Sequence, residues 1–274
     1  EVSGSVGPGV YSSSGGAMQG FDWNLHNNTD HGLYVNSATV HVNGMELTDN
    51  GQSGAQVWDA RNVVFENLTA RDNGGDTVSN PLERNQAGLY YEDANDIESA
   101  SGDVRCTNCS VSGSTGAGLL AVNSVDLWLE GLTLFDNNPG LPALHVDNSD
   151  QLPAGSSGSV SISNAVVSAE SPALPAVRLD RVAANIDGFS MPGNHSGLEW
   201  DGSNNGNFPS SLSNATLAGT ACATFTNHPG LTGSDNLLSS GCTGSVNLQN
   251  SAVNWSSLTD QDGSTAQPHI VQLD

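Results

Sequence analysis

The chain has 274 residues, enough for one or two ordinary domains with a sizeable core, and carries 29 acidic residues against six basic ones, all of them arginine. A net charge of -23 repels phosphate backbones and anionic lipid, which argues against nucleic-acid and membrane partners. No apolar run approaches the roughly 18 residues of a membrane span, and the lysine-free acidic surface suits a saline medium, where salt screens the repulsion between carboxylates.

In chain order, nine segments share one pattern: QGFDWNLH from Gln19, NGMELTDN from Asn43, ENLTARDN from Glu66, TNCSVSGS from Thr107, EGLTLFDN from Glu130, SNAVVSAE from Ser163, DGFSMPGN from Asp187, SNATLAGT from Ser213 and QNSAVNWS from Gln249. The second position is always Gly or Asn: Gly20, Gly44, Asn67, Asn108, Gly131, Asn164, Gly188, Asn214 and Asn250. These residues enter the left-handed region at low cost, so each is expected to mark a sharp turn. Apolar residues follow the turn, as at Phe21, Met45, Leu68 and Phe189, and recur two residues before it, as at Val42, Phe65 and Leu129. The two-residue alternation on both sides predicts a short strand entering and a short strand leaving.

A third strand opens each unit as Gly or Ala, then apolar, variable, apolar. It occurs at Gly32-Leu33-Tyr34-Val35, Gly88-Leu89-Tyr90-Tyr91, Ala143-Leu144-His145-Val146, Ala176-Val177-Arg178-Leu179 and Gly197-Leu198-Glu199-Trp200. Asn or Asp closes it, including Asn36, Asp59, Asn123, Asp147, Asp180 and Asp201. The long intervals place loops at 74–87, 151–158 and 204–209. Strands this short, joined by turns without helical periodicity, cannot be βα units; stacking the coils about 4.8 Å apart buries their inward faces and pairs their backbones. An antiparallel β-sandwich is the alternative architecture.

The pattern resembles the parallel β-helix repeat family of the pectate-lyase-like superfamily. The resemblance implies an all-β, single-stranded right-handed parallel β-helix of about nine coils with three short strands per coil. It makes residues 1–274 one domain, with repeats over about 17–256 and terminal segments at 1–16 and 257–274. The fold carries lyases, hydrolases, adhesins and stalks, so it does not fix the function.

The repeat also sorts the four cysteines. Cys106 falls in the inward slot of Val42 and Leu129, and Cys109 in that of Met45 and Leu132, so they face one interior across Asn108. Cys222 and Cys242 lie some four coils away, about 20 Å at the stacking distance, which predicts two local disulfides, Cys106 to Cys109 and Cys222 to Cys242. Disulfides point to an extracellular or cell-surface location. Six Asn-x-Ser/Thr sequons begin at Asn27, Asn67, Asn108, Asn194, Asn214 and Asn254, three of them turn residues of the repeat.

Stacked coils set the outward residues of the opening strand in a column: Tyr34, Gln56, Tyr90, Leu120, His145, Arg178 and Glu199. In carbohydrate enzymes of the superfamily this sheet forms the substrate cleft. The resemblance therefore singles out His145, Asp147, Arg178, Asp180, Glu199 and Asp201, whose crowded carboxylates are expected to raise one another's pKa, as a general acid requires. Asp at a strand end is equally a turn-binding residue. The chain also departs from the enzymes' motifs: it has no Asp-Asp pair and no lysine, and only Asp30-His31-Gly32 and a lone Arg178 approach them. Calcium is a possible cofactor of the acids, although no metal or other cofactor is required by any motif.

Tyr34, Trp58 and Tyr90, with His145 and Arg178, are the candidate carbohydrate contacts, because aromatic faces suit the CH groups of a sugar ring. The remaining histidines (His26, His31, His41, His195, His228, His269) are read as surface or turn residues. The expectation is an extracellular, non-enzymatic module, a cell-surface stalk, adhesin or assembly subunit. Its partner is a polysaccharide or cell-surface glycan, or further copies of itself; the alternative is a polysaccharide lyase or glycoside hydrolase acting on the opening-strand face.

Overall fold

The computed structural model describes residues 1–13, 15–60, 62–75, 86–92, 104–124, 126–148, 159–203, 209–260 and 270–273. The strands stack as a parallel β-solenoid, all-β among these residues. Eleven strands, from Val10–Ser13 to Ile270–Leu273, form one sheet in strict chain order, hereafter the first sheet. Fifteen more form the second sheet. The stack is thus longer than the nine repeated segments suggest, because Val10–Ser13, Ala223–Thr226, Val246–Gln249 and Ile270–Leu273 also pair in the first sheet. The expected loops fall largely on residues 76–85, 149–158 and 204–208, outside the described residues.

Two of the three expected strands per coil merge in places. Thr39–Thr48, Val63–Arg71, Ser159–Val167 and Ala183–Ser190 run straight through the turn residue, whereas Val104–Thr107 and Ser110–Ser112 are separated by it. The turn residues form a column of nine, Asp22, Gly44, Asn67, Asn108, Gly131, Asn164, Gly188, Asn214 and Asp235, with φ between 51° and 73°. Seven of these positions agree with the repeat. In the first coil the register lies two residues later: Phe21 pairs with Asn43 and Trp23 with Met45, so Asp22 turns instead of Gly20. Phe21 is consequently 74% exposed, and Trp23 packs on the core in its place. Asn250 is left-handed too, but it ends a strand of the first sheet beside Asn227. The short carboxamide or carboxylate of Asn and Asp tolerates this conformation, which is why Asp22 and Asp235 serve where the repeat suggested only Gly or Asn.

Alternation fills the interior. Leu33, Val57, Leu89, Ala121, Leu144, Leu179, Trp200 and Phe225 all point inward from the first sheet and are buried. Phe189, after the Gly188 turn, is buried as well. At one corner a polar column replaces the apolar ones. Asn28 Nδ2 donates to Asn50 Oδ1 and Asn50 Nδ2 donates to Asn73 Oδ1, both at 2.9 Å. Asn50 Nδ2 also donates to the Leu25 carbonyl, and Asn73 Nδ2 donates to the Leu47 carbonyl. Buried amides need every partner they can find, and the coil spacing supplies them.

Three histidines read as surface or turn residues are buried: His31, His195 and His228. A corner position looks polar in sequence, but here it faces packed rings; His228 meets Trp200 edge-on at 4.8 Å. Burial pushes His31 and His228 down to about 4, against the pull of Asp30 and Asp201 respectively.

Two predictions follow from this core. Phe189→Ala should cost about 3–5 kcal/mol in chemical denaturation; a loss below about 1 kcal/mol would contradict the inward register. Because the folded-state pKa values of His31 and His228 are depressed, the unfolded chain takes up their protons first. Stability from these rings is therefore complete above about pH 6.5 and is lost as pH falls towards about 4. His228→Phe should shrink the stability difference between pH 7 and pH 4.5 relative to the parent, measured by urea denaturation at each pH; an unchanged difference would refute the assignment.

Candidate functional site

The first sheet carries the candidate site on its outer face. Its pairing aligns Tyr34, Gln56, Tyr90, Leu120, His145, Arg178 and Glu199 as one outward column. The register adds Tyr11 before it and Thr224 and Asn247 after it. Two residues further along each strand runs a second outward column with Asn36, Trp58, Glu92, Val122, Asp147, Asp180 and Asp201. Asp59 does not belong to it: it lies one residue past the strand, in a left-handed turn, where its carboxylate accepts from Ser37 Oγ at 3.0 Å.

The two columns bring four of the candidate residues together. His145 Nε2 lies 3.0 Å from Asp180 Oδ2, and Arg178 Nε donates to the same oxygen at 2.9 Å. One ligand atom each of His145, Asp147 and Asp180 falls within 4.8 Å of the others. Glu199 is the register neighbour of Arg178 on the next coil. Asp201 is occupied elsewhere: its Oδ1 accepts from Ser203 N at 2.9 Å and from Asn227 Nδ2 at 3.1 Å, which is the turn-binding role of a strand-end Asp.

The electrostatics of Asp180 run opposite to the expectation from crowded acids. Burial alone would raise its carboxyl. The hydrogen bond from His145 and the charge of Arg178 outweigh that and hold it below the ordinary carboxylate range. It is ionised at neutral pH and already committed to two partners. The described donors are also a poor set for calcium, which takes six to eight oxygens; one imidazole nitrogen and two carboxylates resemble a transition-metal set, here with a guanidinium resting on one carboxylate.

The aromatic candidates separate just as clearly. Tyr90 points outward yet is 1% exposed, packed with Ala87, Leu120 and Val122, and its hydroxyl donates to Glu92 at 2.6 Å. Tyr34 has ring neighbours in Tyr11, stacked at 5.3 Å, and His31 at 5.5 Å. On the first sheet Trp58 and Tyr11 are the open aromatics, 41% and 57% exposed. Together with Asp30, Gln52, Gln56 and Glu92 they line a recess of 470 Å³ near the first coils. Tyr11 was hidden from the sequence pattern because the anchors began at Gly32, although Gly9-Val10-Tyr11 repeats the same signal.

Both disulfides pair as the repeat requires, Cys106 with Cys109 and Cys222 with Cys242, with Cα atoms 5.9 and 5.2 Å apart. No described helix is long and apolar enough to cross a membrane.

A family model described as a right handed beta helix region matches residues 1–138. No curated protein and no solved structure matches the chain.

If Arg178 and His145 hold the Asp180 carboxyl down, Arg178→Ala should move its titration upward, read by carboxyl NMR chemical shifts between pH 2 and pH 7. An unmoved titration would mean that the ion pair is not formed in solution.

Proposed function

The chain belongs to the family of right-handed beta helices, and from that premise we propose that it is an extracellular, non-enzymatic surface module. It would act as a rigid stalk or adhesin that holds neutral glycan in the aromatic recess of its first sheet. One observation carries the reading: Tyr11 and Trp58 remain open in a recess that they line together with Tyr34, the amides of Gln52 and Gln56 and the carboxylates of Asp30 and Glu92. Sugar CH groups pack on aromatic faces, and amides and carboxylates accept and donate to hydroxyls. The charge of -23 disfavours anionic polysaccharide. The two disulfides support an oxidising compartment.

A catalytic reading draws on a different observation, the convergence of His145, Asp147 and Asp180 within 4.8 Å. A general acid must hold its proton near the working pH, whereas the Asp180 carboxyl is depressed and paired. The binding reading therefore asks less of the residues present.

The experiment is a panel of neutral polysaccharides with polygalacturonate as the anionic control, each with and without calcium. Binding to one or more neutral polymers is expected, with Tyr11→Ala combined with Trp58→Ala weakening the binding at this recess at least about tenfold. Release of new reducing ends or unsaturated products that disappears in Asp180→Asn would overturn the non-enzymatic assignment.

A further inference from the structure

We propose that the outer face of the second sheet carries a separate neutral-glycan site centred on Trp128, so that one chain bridges two glycan strands. The proposal goes beyond the recess of Tyr11 and Trp58 and shares no lining residue with it.

The site is built by the same coil register. Arg105, Trp128, Ser161, Asn185 and Ser211 occupy one outward column on successive coils. Beside it, Thr107, Glu130, Ser163, Asp187 and Ser213 occupy the next outward column. A large indole is thus followed by three coils of small polar side chains. The drop in side-chain volume opens a cleft of 550 Å³, larger than the recess on the first sheet. From Trp128 to Ser211 it spans three coil steps, about 14 Å, room for a short oligosaccharide segment.

Its chemistry is specific. The Arg105 guanidinium sits 5.2 Å from the centre of the Trp128 ring, covering it from the preceding coil. The following coil offers Ser161 at that column, a small side chain among the described residues, and Trp128 is 46% exposed. A single exposed tryptophan is unremarkable on its own; here it forms the end wall of a polar trough. Along the trough Ser211 Oγ donates to Asn185 Oδ1 at 3.0 Å, and Asn214 Nδ2 donates to Asp187 Oδ1 at 2.6 Å. These contacts fix hydroxyl, amide and carboxylate groups along the cleft, and their remaining donors and acceptors suit a ligand rich in hydroxyls. Glu130 and Asp187, two coils apart, repel an anionic ligand. An apolar face for CH groups, a floor of hydroxyls and amides, and two carboxylates beside a guanidinium that rests on the indole together favour a neutral saccharide.

The two sites lie on different sheets of one rigid stack. A stiff polysaccharide held in one cannot bend back into the other, so double occupancy requires two strands and yields cross-linking instead of avidity on one strand.

Soluble β-glucan, xyloglucan and galactomannan, with oligosaccharides cut from each, serve as probes for isothermal titration calorimetry and for light scattering of the intact polymers. The parent protein should take two oligosaccharides per chain and raise the scattering of the polymer. Trp128→Ala should lower the stoichiometry to one and abolish the rise. Ser161→Gln, which fills the trough without touching the core, should do the same, so a folding defect at Trp128 cannot mimic the result. Tyr11→Ala with Trp58→Ala should leave one site, and adding Trp128→Ala to it should weaken the remaining binding at least about tenfold. Unchanged stoichiometry and scattering in both Trp128→Ala and Ser161→Gln would overturn the second site while leaving the first intact. Loss of all binding in Trp128→Ala, with none lost in the Tyr11 and Trp58 variant, would support this site and overturn the first. Binding of a cationic peptide at Trp128 with no saccharide bound there would overturn it, and no binding of the parent to any probe would overturn both.

Discussion

Parallel pairing between successive coils is the interaction on which the rest of the molecule depends. Each strand of the first sheet bonds in phase with the strand one coil earlier, so a residue's slot fixes both the direction of its side chain and its neighbours about 4.8 Å away. Packing, hydrogen bonding and recognition then become properties of columns. Leu144, Val177 and Leu198 share an inward column, Asn28, Asn50 and Asn73 a corner, and His145, Arg178 and Glu199 an outward column. A substitution acts mainly on the residues directly before and after it in its column, however far away they are in sequence.

This periodicity explains what could be read without coordinates. The alternation of apolar residues after a Gly or Ala fixed all seven members of the outward column from Tyr34 to Glu199, and slot equivalence paired the cysteines. Errors arose where one letter satisfied two registers. QGFDWNLH accommodates a turn at Gly20 as well as at Asp22, and only the seating of Trp23 in the core decides between them. Asn250 carries the turn-forming side chain but ends a different strand of its coil.

Other misreadings concern what surrounds a side chain, which a linear pattern does not encode. Tyr90 occupies an outward slot and is buried all the same, under contacts with Ala87 and Val122. Histidines at corners looked solvated, yet His228 lies against Trp200 and Phe225. The direction of the Asp180 shift required knowing that His145, 35 residues earlier, reaches the same carboxylate as Arg178. Acidic crowding in the sequence was real, but two of the described arginines are placed against acids, Arg71 at Glu46 and Arg178 at Asp180.

The two disulfides differ in a way that matters under load. Cys106 and Cys109 are three residues apart and tie one corner to itself, so they store almost no chain. Cys222 and Cys242 are separated by 20 residues and close nearly a whole coil into a covalent ring. A chain drawn out from its two ends would unspool coil by coil, but that ring would withhold about 70 Å of contour length. Its strands could part from their neighbours without lengthening the tether. Reduction would release that reserve in one step, which makes the redox state of a single bond a setting for how far a stretched module can extend.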